Sequence, residues 1–175
     1  GVWATEVPAQ AHDTQVRFRV HVSTASGSVE FPRSQDRSAA ASHESWGYYV
    51  NDLAGSTTLP TYQILLDGVD PADPENVNDV LSCYALTRAS FAFRGDLYPD
   101  IELRFRGNTA CVIKKRNFKL NFNRGFHFRG LRKLNLNGLW TDKAIVREPL
   151  AWEFMRGIGA PAVETQFARV HLNGH

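Results

Sequence analysis

From Gln15 to Val22 the chain alternates without a break. Val16, Phe18, Val20 and Val22 fall on one side, and Gln15, Arg17, Arg19 and His21 on the other. A period of two is that of a half-buried antiparallel strand. The same period returns at Ile101, Leu103 and Phe105, which alternate with Glu102, Arg104 and Arg106. It returns again at Phe118, Leu120 and Phe122, set between Asn117, Lys119 and Asn121. Thr61 to Leu66 predicts a further strand, and Ser90 to Arg94 with Asp100 to Arg106 predicts a hairpin whose turn is Gly95 to Pro99. Two stretches switch to helical spacing. Asp73 ahead of Pro74 and Glu75 has the form of an N-cap followed by a first-turn proline and acid, which predicts a helix to about Tyr84. Leu150, Phe154 and Ile158, spaced i, i+4, i+8, predict a second helix ended by Gly157 or Gly159 before Pro161. Pro149 leaves its start open. Either a helix from Asp142 kinks at the proline, at a cost of about 3 kcal/mol, or the main helix begins near Pro149 with Glu148 at its cap.

The stretches between these elements suggest how the chain is divided. Residues before Gln15 form a turn, and those after Val22 form a hairpin loop and a short strand closed by Pro32. Ser34 to Glu44 is small and polar, with the composition of a mobile loop, and Trp46 to Val50 is a strand. The pattern of Trp3, Val7 to Gln10, Val16 to Val20, Phe31-Pro32 and Tyr48 to Val50 resembles the closing strands of the Ig-like or fibronectin-like β-sandwich modules of large secreted bacterial proteins. Asn51 to Pro60 has linker composition. The expected organisation is the C-terminal part of a β-sandwich over residues 1–50, a linker over 51–60 and a second unit over 61–175. The fold class is α+β, with antiparallel strands and a few helices.

Composition narrows the function classes. A chain of 175 residues with 43% hydrophobic and 22% charged residues is ordinary globular material, and its 11 phenylalanines and 4 tryptophans favour sheets. A net charge of +2 is too mild to imply nucleic acid. No apolar run reaches the roughly 18 residues of a membrane span. Cys83 and Cys111 are too few for a disulfide framework; they read as two buried thiols in preference to one bridge. Asp67, Asp70, Asp73 and Glu75 lack the residue order of a calcium loop, so helix capping accounts for them better. His127 and His171 each stand without a partner pattern for metal ligation. The absence of G-x-S-x-G, H-E-x-x-H and paired C-x-x-C motifs removes the commonest hydrolase and zinc readings. The chain begins at Gly1 without an initiator methionine, so the lack of a leader says nothing about export.

Charge is clustered rather than abundant: more than half of the 20 lysines and arginines lie between Arg104 and Arg147. If the strands around Arg104 and Lys119 are neighbours, one sheet face gathers Arg104, Arg106 and Lys119. Gly107, Asn108 and Thr109 follow as a turn, ahead of Lys114 and Lys115. Backbone N–H groups at a glycine turn, flanked by guanidinium and ammonium groups, suit a polyphosphate. Phosphoryl transfer needs its phosphates held still and their charge balanced. A strand lysine steadied by a helix glutamate does this in kinase-like folds, and Lys119 and Glu148 stand in that order, with Glu153 a second candidate acid. Each group also has a plain structural reading. Arg104 and Arg106 would be a solvated strand face paired with Glu102, Lys114 to Arg116 a charged loop, and Asn135 and Asn137 polar strand positions.

Seven pieces in order carry a family resemblance. They are Arg106-Gly107-Asn108-Thr109, Lys114-Lys115, Phe118-Lys119, Lys133-Leu134-Asn135-Leu136-Asn137, Thr141-Asp142, Arg147-Glu148, and Ala168-Arg169-Val170 with Leu172-Asn173-Gly174. Together they resemble the first half of the CotH (spore-coat protein H) kinase-like family. The resemblance implies a partial atypical protein-kinase-like fold that uses ATP and magnesium to phosphorylate secreted or surface proteins outside a bacterial-type cytoplasm. Lys119 and Glu148 would be its catalytic pair. Arg104, Arg106, Gly107, Asn108, Thr109, Lys115 and Lys119 would line the nucleotide phosphates. The family's metal-binding carboxylates would lie beyond His175, so this chain would carry only the nucleotide-phosphate side and would need the C-terminal half of the same parent chain. Pro149 departs from the family's unbroken helix. The alternative is a non-catalytic surface, spore-coat or adhesion module whose basic face binds an acidic partner.

Overall fold

A computed structural model describes residues 4–12, 14–31, 46–50, 58–69, 76–125 and 127–174. The strands are β1 (Gln15–Phe18), β2 (Val20–Thr24), β3 (Gly27–Phe31), β4 (Trp46–Tyr49), β5 (Thr61–Leu65), β6 (Thr87–Phe93), β7 (Asp96–Phe105), β8 (Phe118–Asn121), β9 (Lys133–Leu136) and β10 (Arg169–Leu172). The helices are α1 (Val77–Val80) and α2 (Arg147–Gly157), with a 3₁₀ turn over Thr109–Val112. The polar loop expected over Ser34 to Glu44, most of the linker, and the Asp73 cap lie outside the described residues.

One eight-stranded sheet runs β1-β4-β7-β6-β5-β10, and the long strand β7 forks it. β4 meets β7 near its start, at Tyr48 opposite Asp96, while β8 and then β9 extend from the end of β7. β10 lies parallel to β5, and the other pairs are antiparallel. The side-chain amide of Asn173 prolongs that parallel pair. Its oxygen accepts from the Leu66 N–H at 2.8 Å, and its nitrogen donates to the Leu66 carbonyl at 2.9 Å.

The alternation expected in β7 and β8 is present. Ile101, Leu103, Phe105, Leu120 and Phe122 are buried, while Glu102 is exposed and Arg104 and Lys119 are intermediate. The buried face meets Val69, Val77, Leu81, Cys111 and Phe128 in one core. Phe128 is 2% exposed and has Tyr62, Phe91, Phe93, Tyr98 and Phe122 around it, at ring-centroid distances of 4.9 to 5.7 Å. Most of these rings meet edge to face, the favoured arrangement for aromatic quadrupoles. A smaller cluster of Tyr49, Ala92 and Leu97 joins β4 to β6 and β7.

Several elements differ from the sequence expectation. The alternating run from Gln15 is two strands, not one. It breaks at Arg19, and β2 pairs with β3 in a separate two-stranded sheet. Nothing described covers that hairpin, so Val20 and Val22 are each 44% exposed rather than half buried. The β6–β7 turn is not the five-residue stretch from Gly95 to Pro99 but Arg94 and Gly95 alone, both at positive φ. A two-residue turn of that hand matches the twist of the strands it joins. Pro99 then sits within β7 at a register shift opposite Ala89–Phe91, where a bulge tolerates it.

Helix α1 stops at Val80, well short of Tyr84. Leu81 turns extended because the next residues serve other elements. The Ser82 carbonyl accepts from Phe105 N–H at 3.0 Å, and its hydroxyl accepts from the Tyr84 and Ala85 N–H groups. Cys83 and Cys111 are not free thiols but a disulfide. The end of β7 brings their Cα atoms to 5.9 Å, an ordinary bridging distance. Among the described residues no helix is long and apolar enough to cross a membrane.

Candidate functional site

An open cleft of about 390 Å³ lies where the end of β7 approaches the start of α2. Its useful polar side chains are Arg106, Thr109, Asn117, Asn137 and Glu148, with Trp140 at the rim, 48% exposed. β7 and β8 set one wall. The ladder continues one residue past the strand, Arg106 N–H donating to the Asn117 carbonyl at 2.8 Å. Gly107, at φ +104°, then turns the chain into the 3₁₀ segment that carries Thr109, a backbone region that L-residues rarely adopt. Gly138, next to the lining residue Asn137, sits close against the segment ahead of β8. A Cβ there would meet the Lys115 and Arg116 carbonyl oxygens at 2.9 and 2.8 Å, and its N–H donates to Asn117 Oδ1 at 2.6 Å.

The other wall is the first turn of α2. The helix begins at Arg147, near Pro149 as the second alternative had it and with no kink from Asp142, but its cap is Val146 rather than Glu148 and Pro149 is its third residue. The first N–H groups of a helix have no internal acceptor, which makes the missing donor of Pro149 harmless. Asp142, 8% exposed, performs the capping from a distance. Its Oδ2 accepts from Arg147 N–H at 2.8 Å, and Oδ1 accepts from Ala144 N–H at 3.2 Å and lies 3.6 Å from Arg147 Nε. Glu148 therefore sits in the first helical turn, where the macrodipole favours a carboxylate.

A chain of contacts crosses the cleft. Arg106 Nη1 donates to Asn137 Oδ1 at 2.7 Å, and Asn137 Nδ2 donates to both Glu148 oxygens, at 2.9 and 3.1 Å. The carboxylate of Glu148 is taken by Asn137, not by Lys119. Lys119 lies on β8 two residues along from Asn117, in a row with Arg104 and Asn135. The Arg104 guanidinium donates to the Cys83 carbonyl at 2.6 Å and to the Phe105 carbonyl at 2.9 Å. Lys115 is exposed and lends its carbonyl side to Gly138. Glu153 is exposed on α2 and paired with Arg156. Arg106, Thr109 and Glu148 thus come together with Gly107 and Asn108 in the adjoining turn, whereas Lys119, Arg104, Lys115 and Glu153 stand outside the cleft.

The turn is fastened from behind. Cys111 within the 3₁₀ segment is bonded to Cys83, and its carbonyl accepts from Arg116 Nη1. The same guanidinium lies 4.9 Å from the Phe105 ring centroid and donates to Asn78 at α1 at 2.6 Å. Among the described residues no group of three or more His, Cys, Asp or Glu side chains is placed to hold a metal ion. What the cleft offers chemically is a guanidinium, a hydroxyl and a glycine turn on one wall, facing a carboxylate steadied by an amide on the other.

Residues 103–175 match the family described as CotH kinase protein. These matches support a CotH-family assignment for that segment. A 75-residue stretch is 31% identical to the inner spore coat protein H of Bacillus subtilis (strain 168), covering 43% of this chain and 21% of that relative. The chain thus spans about a fifth of the relative's length. The CotH segment begins inside β7, so the whole cleft falls within it while β1 to β6 lie ahead of it. Sequence reasoning missed Asn117, Asn137 and Asp142 as members of the site. Asn137 ends the Lys133–Asn137 run on which the family likeness partly rested and Gly138 follows it, and an Asn-Gly step just past a strand was the available signal.

Proposed function

We propose that the CotH segment forms the phosphate side of a kinase-like nucleotide site. The protein that contains it would transfer phosphate from ATP to secreted or coat proteins outside the cytoplasm. The observation that carries this reading is the cleft itself, in which Arg106 and the Gly107 turn face a helix-borne Glu148 inside the segment matching the CotH kinase family. A guanidinium presents planar paired donors suited to phosphate oxygens, and a glycine turn adds N–H groups. Bound ATP with magnesium would supply the transferable phosphoryl group. Arg106 and Thr109 would hold the phosphate oxygens, and Glu148 would fix the acidic side. Lys119 would reach the phosphates only after its side chain or α2 moves toward the cleft. The kinase-like lobe, and a sandwich-derived module ahead of it, belong to this proposal as its architecture.

A second reading is favoured by the name of the Bacillus relative, an inner spore coat protein. The chain would then be a non-catalytic coat or surface component whose basic face meets an acidic partner. A thermal-shift titration of the longest natural product carrying this chain, with ATP and magnesium, separates the two. A ligand that binds only the folded state raises stability by about 2.7 kcal/mol at 100 times its dissociation constant. A shift lost in Arg106→Ala and Lys119→Met supports the nucleotide site. Equal, salt-sensitive binding of ATP and unrelated polyanions overturns it.

A further inference from the structure

Asn137 is the hinge of the contacts across the cleft, and its position is fixed by backbone it does not share. Gly138 beside it is pressed against the Lys115 and Arg116 carbonyls and bonded to Asn117, so the amide has little room to shift. That amide presents its oxygen to a cation and its nitrogen to an anion. Arg106 and Glu148 are each satisfied by a neutral group that stands between them.

The alternative arrangement of the same two residues is a direct ion pair. In a half-buried cleft, where charges interact more strongly than in bulk water, such a pair would cancel the guanidinium charge at the place an anion would use. A guanidinium carries five N–H donors, and the amide engages Nη1. We propose that Asn137 is a positioning residue. It holds Arg106 and Glu148 apart, so that the guanidinium charge faces the cleft for a polyphosphate anion. This rests on the nucleotide-site reading and deepens it, since it assigns what keeps the phosphate-binding charge available.

The test is calorimetric titration of the full chain with inorganic pyrophosphate and, separately, with ATP and magnesium, at low and high salt. Asn137→Ala lets Arg106 and Glu148 pair, and weakens pyrophosphate binding about tenfold, which is ~1.4 kcal/mol. Adding Glu148→Gln to that variant removes the competing carboxylate and returns affinity to near that of the unaltered chain. A role limited to supporting the fold would not be rescued in this way. Asn137→Asp, close to isosteric and suited to a fold that does not tolerate alanine, neutralises Arg106 directly. It weakens binding further, and most at low salt.

Alanine and aspartate variants that bind like the unaltered chain overturn the proposal, as does an alanine variant whose loss Glu148→Gln fails to restore. If the unaltered chain binds neither probe, the nucleotide-site reading falls first and this proposal with it. Normal binding that ignores position 137 sinks only the proposal.

Discussion

Ile64, Phe91, Leu103 and Leu120 on the sheet are wholly excluded from water, whereas α2 has no buried residue, with Leu150 and Phe154 at 63% and 67% exposure and Ile158 at its C-terminal cap at 62%. The two elements form opposite walls of one cleft and are held by different physics. The sheet wall stands on aromatic and aliphatic burial, which acts over its whole length. The helix wall is attached at its first turn by polar contacts from Asp142 and Asn137. The basic side of the cleft is therefore the stiff one, and its acid is carried on the part most easily moved. A site built this way can change the distance between its charges without disturbing its core.

The contrast breaks first, and by most, under truncation. Phe91→Ala is expected to destabilise the chain by about 3–5 kcal/mol, while Phe154→Ala on α2 costs less than about 0.5 kcal/mol. Urea denaturation of both variants checks this, and comparable losses would mean that α2 is packed after all. Next in size is the fastening behind the turn. Replacing Cys83 and Cys111 by serine should cost about 2–4 kcal/mol. Amide exchange should rise over residues 107–116 more than in β5 and β6.

Asp142→Ala should release the first turn of α2 at a cost of about 1 kcal/mol, the usual size of a lost helix cap. Exchange would rise from Arg147 onward with the sheet unchanged. The smallest effect is a dependence on alkaline pH confined to the sheet. Burial pushes the Tyr62 hydroxyl above its ordinary pKa of 10.0, against the lowering pull of Arg129; burial and then Asp96 do the same for Tyr98. A raised folded pKa means the unfolded chain loses these protons first. Their contribution is complete below pH 10 and fades as pH climbs through the folded values. Alkaline titration followed by tyrosinate absorbance checks this, and ionisation of all tyrosines together at the ordinary value would contradict it.

The alternating residues of β7 and β8 were legible because one face of each strand is buried, and burial selects a period of two. The same signal misled at Gln15 to Val22, since alternation reports a strand's two faces and not whether anything covers them. Phe128 gave no periodic signal, because a single bridge to Leu131 rather than a strand delivers it to the core. The disulfide was hidden for a related reason: residues 28 positions apart meet only once β7 and the segment after α1 are both in place. In the site, chain order suggested a Lys119–Glu148 pair, but order carries no distances. The fold brings Glu148 to Asn137 instead, two ladder rows along, and a strand-end asparagine looks in sequence like any other polar position.

The Cys83–Cys111 bond gives the cleft a history. The turn bearing Thr109 is tied to the segment after α1 by a covalent bond that only oxidation can form. In a glutathione-rich compartment, where such bonds are rare, the chain would carry the same residues in the same order with that turn held by its Arg116 contacts and without its covalent tie. A newly made copy and one delivered to an oxidising setting would then differ in one wall of the cleft. The place where the chain matures would help decide when its cleft is finished.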